Sequence, residues 1–281
     1  MSADIVKTAV DPPAGAPLRA DIIYRHTFLV RLTHWINAAA IFLLIGSGLN
    51  IFNAHPRLYW GQKGADYDPA LLSIGATQGG RGVTRIGAWR FDTTDLLGLF
   101  HSHGQIVAQA WPGWLTIPSY RDLADARHWH FMLAWILAVN ALIYLLWSLF
   151  SRHLTRDLTP TGADLKAIPR SIVDHLRLRH ATGEAARRYN VLQRLAYLGL
   201  IVLVAGMIAT GLTLSPGMDA AAPWLLDLFG GRQSARTLHF IFASLIVLFI
   251  MVHLIEVILA GPLNEVRSMI TGRYRLPKEH D

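Results

Sequence analysis

The sequence contains no cysteine among its 281 residues. This absence excludes disulfides, iron-sulfur clusters held by the chain, thiolate zinc sites and the covalent C-x-x-C-H attachment of a haem. The 13 histidines are therefore the main side chains with which the chain can bind a transition metal.

Charged residues are also scarce, at 16% of the chain, whereas a soluble domain typically has about 25%. Hydrophobic residues make up 52%, and the mean hydropathy is +0.32. This composition is typical of an integral membrane protein. The chain also lacks a nucleophile elbow, a phosphate-binding glycine loop and a metal-hydrolase motif. We therefore expect any substrate chemistry to belong to a partner subunit.

Four apolar stretches are long enough to cross a bilayer, which takes about 20 residues of helix. They contain almost no Asp, Glu, Lys or Arg, and they do not show the alternation of barrel strands. The sequence predicts an all-α integral membrane protein with a bundle of four transmembrane helices. The predicted spans lie at about 28–52, 129–150, 191–214 and 237–261, inside a membrane haem domain of residues 26–261.

The formal net charge of +7 is explained by membrane topology. Lys and Arg number eight in residues 151–189, four in residues 1–33 and four in residues 262–281, but only two in residues 215–236. In residues 53–127, seven are nearly balanced by six Asp. Because positive residues favour the cytoplasmic side, we expect cytoplasmic termini (1–25 and 262–281), a cytoplasmic loop (151–189) and an outer loop (53–127). No segment outside the membrane forms a basic domain, so we expect no nucleic-acid partner.

The outer loop is long and rich in Gly and aromatic residues, which predicts an ordered cap. Within it, residues 95–111 have the composition of a short interfacial helix. His101 and His103 belong either to an outer redox or quinone site or to a solvated loop. Aromatic residues are enriched at interface hot spots, so we expect a redox partner to bind the aromatic side chains of this loop: Tyr59, Trp60, Trp89, Trp111 and Trp114.

An Arg-x-x-His pattern stands at the start of three of the four spans. Residues three apart share a helix face, so each pattern presents an imidazole to the bundle and a guanidinium one turn further out. The imidazole suits haem iron, and the guanidinium suits a haem propionate. The three pairs are Arg31 with His34, Arg127 with His130, and Arg236 with His239.

The fourth span carries a second histidine, His253, fourteen residues after His239. Fourteen residues are nearly four helical turns, so the two side chains face the same way about 21 Å apart along the axis. Depth then pairs His130 with His239 near the outer face and His34 with His253 near the inner face. This arrangement predicts two bis-histidine b haems. The alternatives are that the histidines are interfacial or hydrogen-bonded residues, and that His128 replaces His130.

These motifs resemble the di-haem cytochrome b subunits of membrane-bound hydrogenases, formate dehydrogenases and thiosulfate reductases, a bacterial cytochrome b561-like family. The matching features are RLTHW around His34, RHWH at His130, the fourteen-residue histidine spacing and YNVLQR before the third span. The resemblance implies the bacterial cytoplasmic membrane, a quinone beside the inner haem, and a periplasmic redox subunit that contains molybdenum or an iron-sulfur cluster.

The YNVLQR motif supplies the candidate quinone residues Tyr189, Asn190 and Gln193. Asn190 and Gln193 are three apart, so both amides can reach one quinone carbonyl. The alternative for Asn190 is helix capping; we expect Gln193 to be unnecessary for a cap. The sequence thus predicts electron transfer between the quinone pool and a periplasmic partner. The rival functions are a b561-type superoxide:quinone oxidoreductase without a partner, and a non-redox membrane anchor or transporter.

Overall fold

A computed structural model describes residues 22–102, 104–177 and 189–276. Four of its helices are long and apolar enough to cross a membrane: α1 (Phe28–Ala54), α2 (Leu123–Phe150), α5 (Val191–Leu214) and α8 (Arg232–Leu259). The prediction of four spanning helices is confirmed, and the chain is a multi-pass membrane protein. Residues 1–21 and 277–281 of the predicted terminal segments, residues 178–188 of the predicted cytoplasmic loop, and His103 lie outside the described residues.

The remaining elements are short. The other helices are α3 (Gly162–Lys166), α4 (Ile168–Leu176), α6 (Pro216–Ala221), α7 (Trp224–Leu228) and α9 (Pro262–Thr271), with a 3-10 turn at Gly113–Leu115 and a π-helical turn at Leu154–Leu158. The strands are β1 (Ile22–Tyr24), β2 (Arg57–Leu58), β3 (Leu72–Ala76), β4 (Gly82–Ile86), β5 (Trp89–Asp92), β6 (Phe100–Ser102), β7 (Gln105–Val107) and β8 (Arg273–Arg275).

Two spanning helices begin several residues before the predicted spans. Helix α2 begins at Leu123 because the Asp122 carboxylate accepts a hydrogen bond from the Asp125 backbone N–H and caps the helix. Helix α8 begins at Arg232 and thus includes Arg236. The predicted boundaries followed hydropathy, whereas the helices continue into their polar ends. Helix α1 packs along α2 and α5 along α8, and the two pairs approach each other less closely.

The segment between α1 and α2, residues 55–122, is the outer segment. It contains an antiparallel four-stranded sheet in the order β2-β3-β4-β5 and a separate hairpin of β6 and β7. The all-α prediction is therefore wrong for this segment, and the helix predicted at 95–111 is wrong as well. In its place, Gly104 turns the chain with φ +74, and β6 pairs with β7. In this hairpin, exposed His101 contacts Asp95 with Nδ1 2.7 Å from Oδ1.

The outer segment is bound to the ends of two spanning helices. Asn53 of α1 exchanges two hydrogen bonds with the backbone of Trp111, at 2.8 and 3.1 Å. At the start of α8, the carbonyl of Gly61 accepts hydrogen bonds from the backbone N–H groups of Gln233 and Ser234. Beneath the segment lies an apolar cluster that joins α1 to the sheet: Phe52, Leu58, Ile74 and Ala110. The segment is therefore an ordered cap on this end of the bundle.

The opposite end of the bundle joins the beginning and the end of the described chain. Strand β1 pairs antiparallel with β8, with Ile23 opposite Tyr274. Helix α9 lies against the start of α1, where the Trp35 indole N–H donates to the Met269 carbonyl at 3.1 Å. Residues 22–25 and 272–276 are thus held at the same end of the bundle.

Candidate functional site

Four histidines of the spanning helices form two facing pairs; His34, His130 and His239 are partly buried, and His253 is exposed. The ring centroids of His130 and His239 are 6.2 Å apart, with an angle of 63° between the ring planes. Those of His34 and His253 are 6.3 Å apart, at 73°. We call His130 and His239 the outer pair, because they lie toward the outer segment, and the other two the inner pair. These are the pairs that the depth of each residue along its helix predicted.

The separation within each pair matches two imidazoles on opposite sides of one metal ion. A metal binds an imidazole nitrogen at about 2.0 Å, and the nitrogen lies about 1.1 Å from the ring centroid, so two axial imidazoles have centroids about 6.2 Å apart. Both observed separations agree with this value. Among the described residues, no group of three or more His, Cys, Asp or Glu is placed to hold a metal. Two-residue sites fit a metal that brings its own equatorial ligands, as haem iron does.

The outer pair is held by hydroxyl groups from neighbouring helices. Ser47 Oγ on α1 lies 3.0 Å from His130 Nδ1, and it donates its own proton to the Leu43 carbonyl at 3.0 Å. A hydroxyl has one proton, so its free lone pair accepts from Nδ1–H of the histidine. The hydrogen-bond network thus assigns the proton of His130 to Nδ1 and leaves Nε2 available to a metal.

The same arrangement holds His239. Thr210 Oγ1 on α5 lies 2.9 Å from His239 Nδ1 and donates to the Gly206 carbonyl at 2.7 Å. Sequence reasoning missed both hydroxyls. A signal was present, since Ser47 and Thr210 are each followed by a glycine in a transmembrane span.

Two glycines make room for the outer imidazoles. A Cβ on Gly48 would lie 3.4 Å from His130 Cε1, and one on Gly211 would lie 3.3 Å from His239 Cε1. The contact at Gly211 is tighter than most real Cβ contacts, so a larger residue there would require the His239 ring to shift by a few tenths of an ångström, whereas the contact at Gly48 is at the limit of ordinary van der Waals distance. The two glycines therefore let each histidine approach the neighbouring helix closely enough to reach its hydroxyl.

The inner pair has aromatic neighbours. The His34 ring meets the Trp35 ring edge-on at 5.3 Å, and the His253 ring stacks on Phe249 at 5.9 Å with an interplanar angle of 2°. One turn from His34, Asn37 Oδ1 accepts from the buried Asn140 amide of α2 at 2.7 Å. The same amide donates to the Thr33 carbonyl at 2.8 Å. This polar contact, which the sequence did not indicate, fixes α2 against α1 beside the inner pair.

The structure separates His128 from His130. His130 faces His239, whereas His128 is exposed. Residues two apart point to nearly opposite sides of a helix, so the rotation of α2 about its axis brings only one of them to the bundle interior.

The three arginines of the Arg-x-x-His patterns lie at the ends of the bundle. Arg31 Nη1 donates to the Ile270 carbonyl, and the Arg31 Nε is buried without a hydrogen-bond partner among the described residues. Arg236 Nη2 donates to the His55 carbonyl. The Arg127 guanidinium lies 5.4 Å from the Phe131 ring centroid. A guanidinium has five N–H donors, so these contacts leave donors for an anion such as a propionate.

A family model described as prokaryotic cytochrome b561 matches residues 25–272, which include the four spanning helices and both histidine pairs. The chain belongs to the prokaryotic cytochrome b561 family. The resemblance to bacterial b561-like cytochromes is thereby confirmed. This cytochrome is a b-type membrane electron-transfer protein, and the family implies haem b as its cofactor.

A curated protein is similar to the cytochrome over most of both chains. It is the putative protein-methionine-sulfoxide reductase subunit YedZ1 of Azospira oryzae, which is 30% identical over 236 residues. The match covers 83% of the cytochrome and 90% of that relative.

The candidate quinone residues lie at the start of α5, near the end of the bundle that carries the inner pair. The Asn190 side-chain oxygen accepts from the Gln193 backbone N–H at 2.8 Å, and Gln193 Oε1 accepts from the Asn190 N–H at 3.1 Å. This is a complete capping box, so the expectation that Gln193 is unnecessary for the cap is wrong. The box uses the two side-chain oxygens and leaves both NH2 groups as donors.

Tyr189 precedes this cap and is partly buried. Its ring meets that of Tyr197 edge-on at 5.3 Å, and the Arg25 guanidinium lies 5.9 Å from its centroid. Burial raises the pKa of the Tyr189 phenol above its usual value. The phenol is therefore neutral at physiological pH and retains its proton as a donor.

Proposed function

We propose that this cytochrome carries two b haems and transfers electrons between a membrane quinone and a redox partner on the outer side. The observation that carries the proposal is the pair of facing-histidine sites, each with the separation that one metal requires. His239 and His253 lie fourteen residues apart on α8, so the two sites are about 21 Å apart along its axis. An electron that crosses the bilayer would thus pass through the two sites in succession.

The side chains around each pair have separate roles. When bound, each haem supplies a one-electron Fe³⁺/Fe²⁺ couple. His130 and His239 would hold the outer haem through Nε2, and His34 and His253 would hold the inner one. Arg31, Arg127 and Arg236 lie one turn from their histidines, where their remaining N–H donors would bind the haem propionates.

We further propose that the protein lies in the bacterial cytoplasmic membrane with both termini in the cytoplasm. The pairing of β1 with β8 supports a common side for the two ends of the chain. The basic residues of segment 151–177 and of the terminal segments support the cytoplasm as that side. The outer segment then faces the periplasm.

The quinone site is proposed at Tyr189, Asn190 and Gln193, on the cytoplasmic side. The NH2 groups left free by the capping box support a role as donors to a quinone carbonyl. The relative named as a reductase subunit supports electron flow from quinol outward. Each quinol then releases two protons and passes two electrons, one at a time, toward the outer pair.

The purified cytochrome is expected to contain two haem b per chain with low-spin bis-imidazole spectra. Because the chain has no cysteine, acid acetone should extract all the haem. The pyridine haemochrome assay measures the ratio of haem to protein. One haem per chain, or a high-spin spectrum, would contradict the two-site proposal, and the absence of haem would favour a non-redox membrane anchor.

The periplasmic partner is expected to bind the exposed aromatic side chains of the outer segment. Of the five aromatic residues predicted there, Trp60, Trp89 and Trp114 are 53%, 73% and 78% exposed, while Tyr59 is buried. Trp111 packs against the apolar cluster. Partner binding therefore depends on the three exposed tryptophans.

The measurement uses affinity-tagged cytochrome and its variant with Trp60→Ala, Trp89→Ala and Trp114→Ala. The molybdenum and the iron-sulfur EPR signal captured with each protein are compared, and we expect at least a tenfold loss in the variant. Haem spectra that match the wild type control for folding. Equal capture by both proteins would place the docking surface elsewhere. Quinone reduction by superoxide without any captured partner would support the rival oxidoreductase.

A further inference from the structure

The two outer histidines share a local environment that is repeated on different helices. His130 lies against the dipeptide Ser47-Gly48 of α1, and His239 lies against Thr210-Gly211 of α5. In each case the hydroxyl accepts from Nδ1–H and the glycine lies under Cε1. The repetition on two separate helix pairs indicates one function for both hydroxyls.

The inner histidines have a different environment. Within the part of the chain that the structure describes, neither His34 nor His253 has a hydrogen bond from its ring to a side-chain hydroxyl. Their nearest ring neighbours are Trp35 and Phe249, which offer faces and edges instead of an acceptor oxygen. The two sites therefore differ in the groups that surround their ligands.

We propose that Ser47 and Thr210 are positioning residues that lower the reduction potential of the outer haem. This inference rests on the proposed bis-histidine function. Donation from Nδ1–H to a hydroxyl oxygen fixes the tautomer and raises the basicity of the ligating nitrogen. A more basic ligand stabilises Fe³⁺, which carries one positive charge more than Fe²⁺. Removal of the hydroxyl therefore favours Fe²⁺ and raises the potential.

The test is redox titration of the purified protein with the variants Ser47→Ala and Thr210→Val. Each variant is expected to increase the Fe²⁺/Fe³⁺ ratio of one haem, at a fixed potential, by about threefold to tenfold; tenfold corresponds to about 59 mV for a one-electron couple. The other haem should keep its potential. Because each hydroxyl contacts a different histidine, the effects should add approximately in the double variant. The EPR g values of the affected haem should shift as well.

Two conservative variants separate the hydroxyl from the shape of the residue. Ser47→Thr and Thr210→Ser keep the acceptor oxygen and should keep the wild-type potential. Ser244→Ala is the matched control for Ser47→Ala, because Ser244 is a serine of α8 whose hydroxyl donates to the Phe240 carbonyl of its own helix at 2.9 Å. It should leave both potentials unchanged.

Unchanged potentials in Ser47→Ala and Thr210→Val, in a protein that retains two haems, would overturn the inference. The inference would also be overturned if Ser47→Thr and Thr210→Ser shifted the potential as far as the variants that remove the hydroxyl. If Thr210→Val loses the outer haem, retention by Thr210→Ser supports the inference, and loss from both overturns it. A wild-type protein with fewer than two haems would refute the proposed function itself, which is a distinct result.

Discussion

Replacement of His239 by alanine is expected to remove one of the two haems and to leave the other. The outer pair shares one metal between His130 and His239, so the loss of either imidazole leaves iron with a single axial ligand. The pyridine haemochrome ratio should fall from two haems per chain to one. The low-spin spectrum of the remaining haem, held by His34 and His253, should be unchanged.

The matched control for this prediction is His128, which is on the same helix as His130. Because His128 is exposed and His130 faces the partner imidazole, His130→Ala should reproduce the effect of His239→Ala, and His128→Ala should retain both haems. Loss of a haem from His128→Ala with retention in His130→Ala would contradict the rotation of α2 in the structure. Loss of both haems from His239→Ala would contradict the independence of the two sites.

The double variant Asn190→Asp with Gln193→Glu is expected to lower quinone-linked turnover at least tenfold. Asp caps a helix as well as Asn, and Glu at the third position completes a capping box, so both oxygens of the cap remain. Negative charge in the first turn of α5 is also favourable. What the variant removes is the pair of NH2 donors that we assign to the quinone carbonyl.

The measurement is oxidation of a soluble quinol by the purified protein, followed as haem reduction. Leucine at both positions would also remove the NH2 donors, but it would destroy the cap and lower the stability of the protein by about 1 kcal/mol. The double variant with Asp and Glu, here called the acidic variant, keeps the cap and therefore tests the donors alone. The acidic variant should have the haem spectra and the thermal unfolding midpoint of the wild-type protein. If turnover is retained, the quinone binds elsewhere, and the outer haem becomes the place to look for it.

The sequence by itself determined the four spans and the depths of the four histidines. Span length and the scarcity of charge are properties of a linear stretch, and the fourteen-residue spacing of His239 and His253 fixes their relative face and height on any regular helix. These features require no knowledge of the neighbours. The lack of cysteine likewise excludes covalently attached haem without any knowledge of the fold.

The outer segment was only partly predictable. The length and aromatic content of this segment predicted that it is ordered. They did not predict its strands, because residues 95–111 have the apolar content of an interfacial helix. The pairing of β6 with β7 depends on the Gly104 turn and on contacts with the rest of the cap. Such contacts join residues distant in sequence, and local composition does not contain them.

Only the tertiary structure decided which groups face the histidines. The choice of His130 over His128 depends on the rotation of α2 about its own axis, which is set by packing against α1. The hydroxyls of Ser47 and Thr210 reach their histidines from other helices across the narrow gaps that Gly48 and Gly211 create. The capping box of Asn190 and Gln193 is by contrast a local feature, because an Asn followed three residues later by a Gln before an apolar run is its sequence signature. A one-dimensional pattern gives the height and approximate face of a residue, whereas its partner is set by the packing of several helices at once.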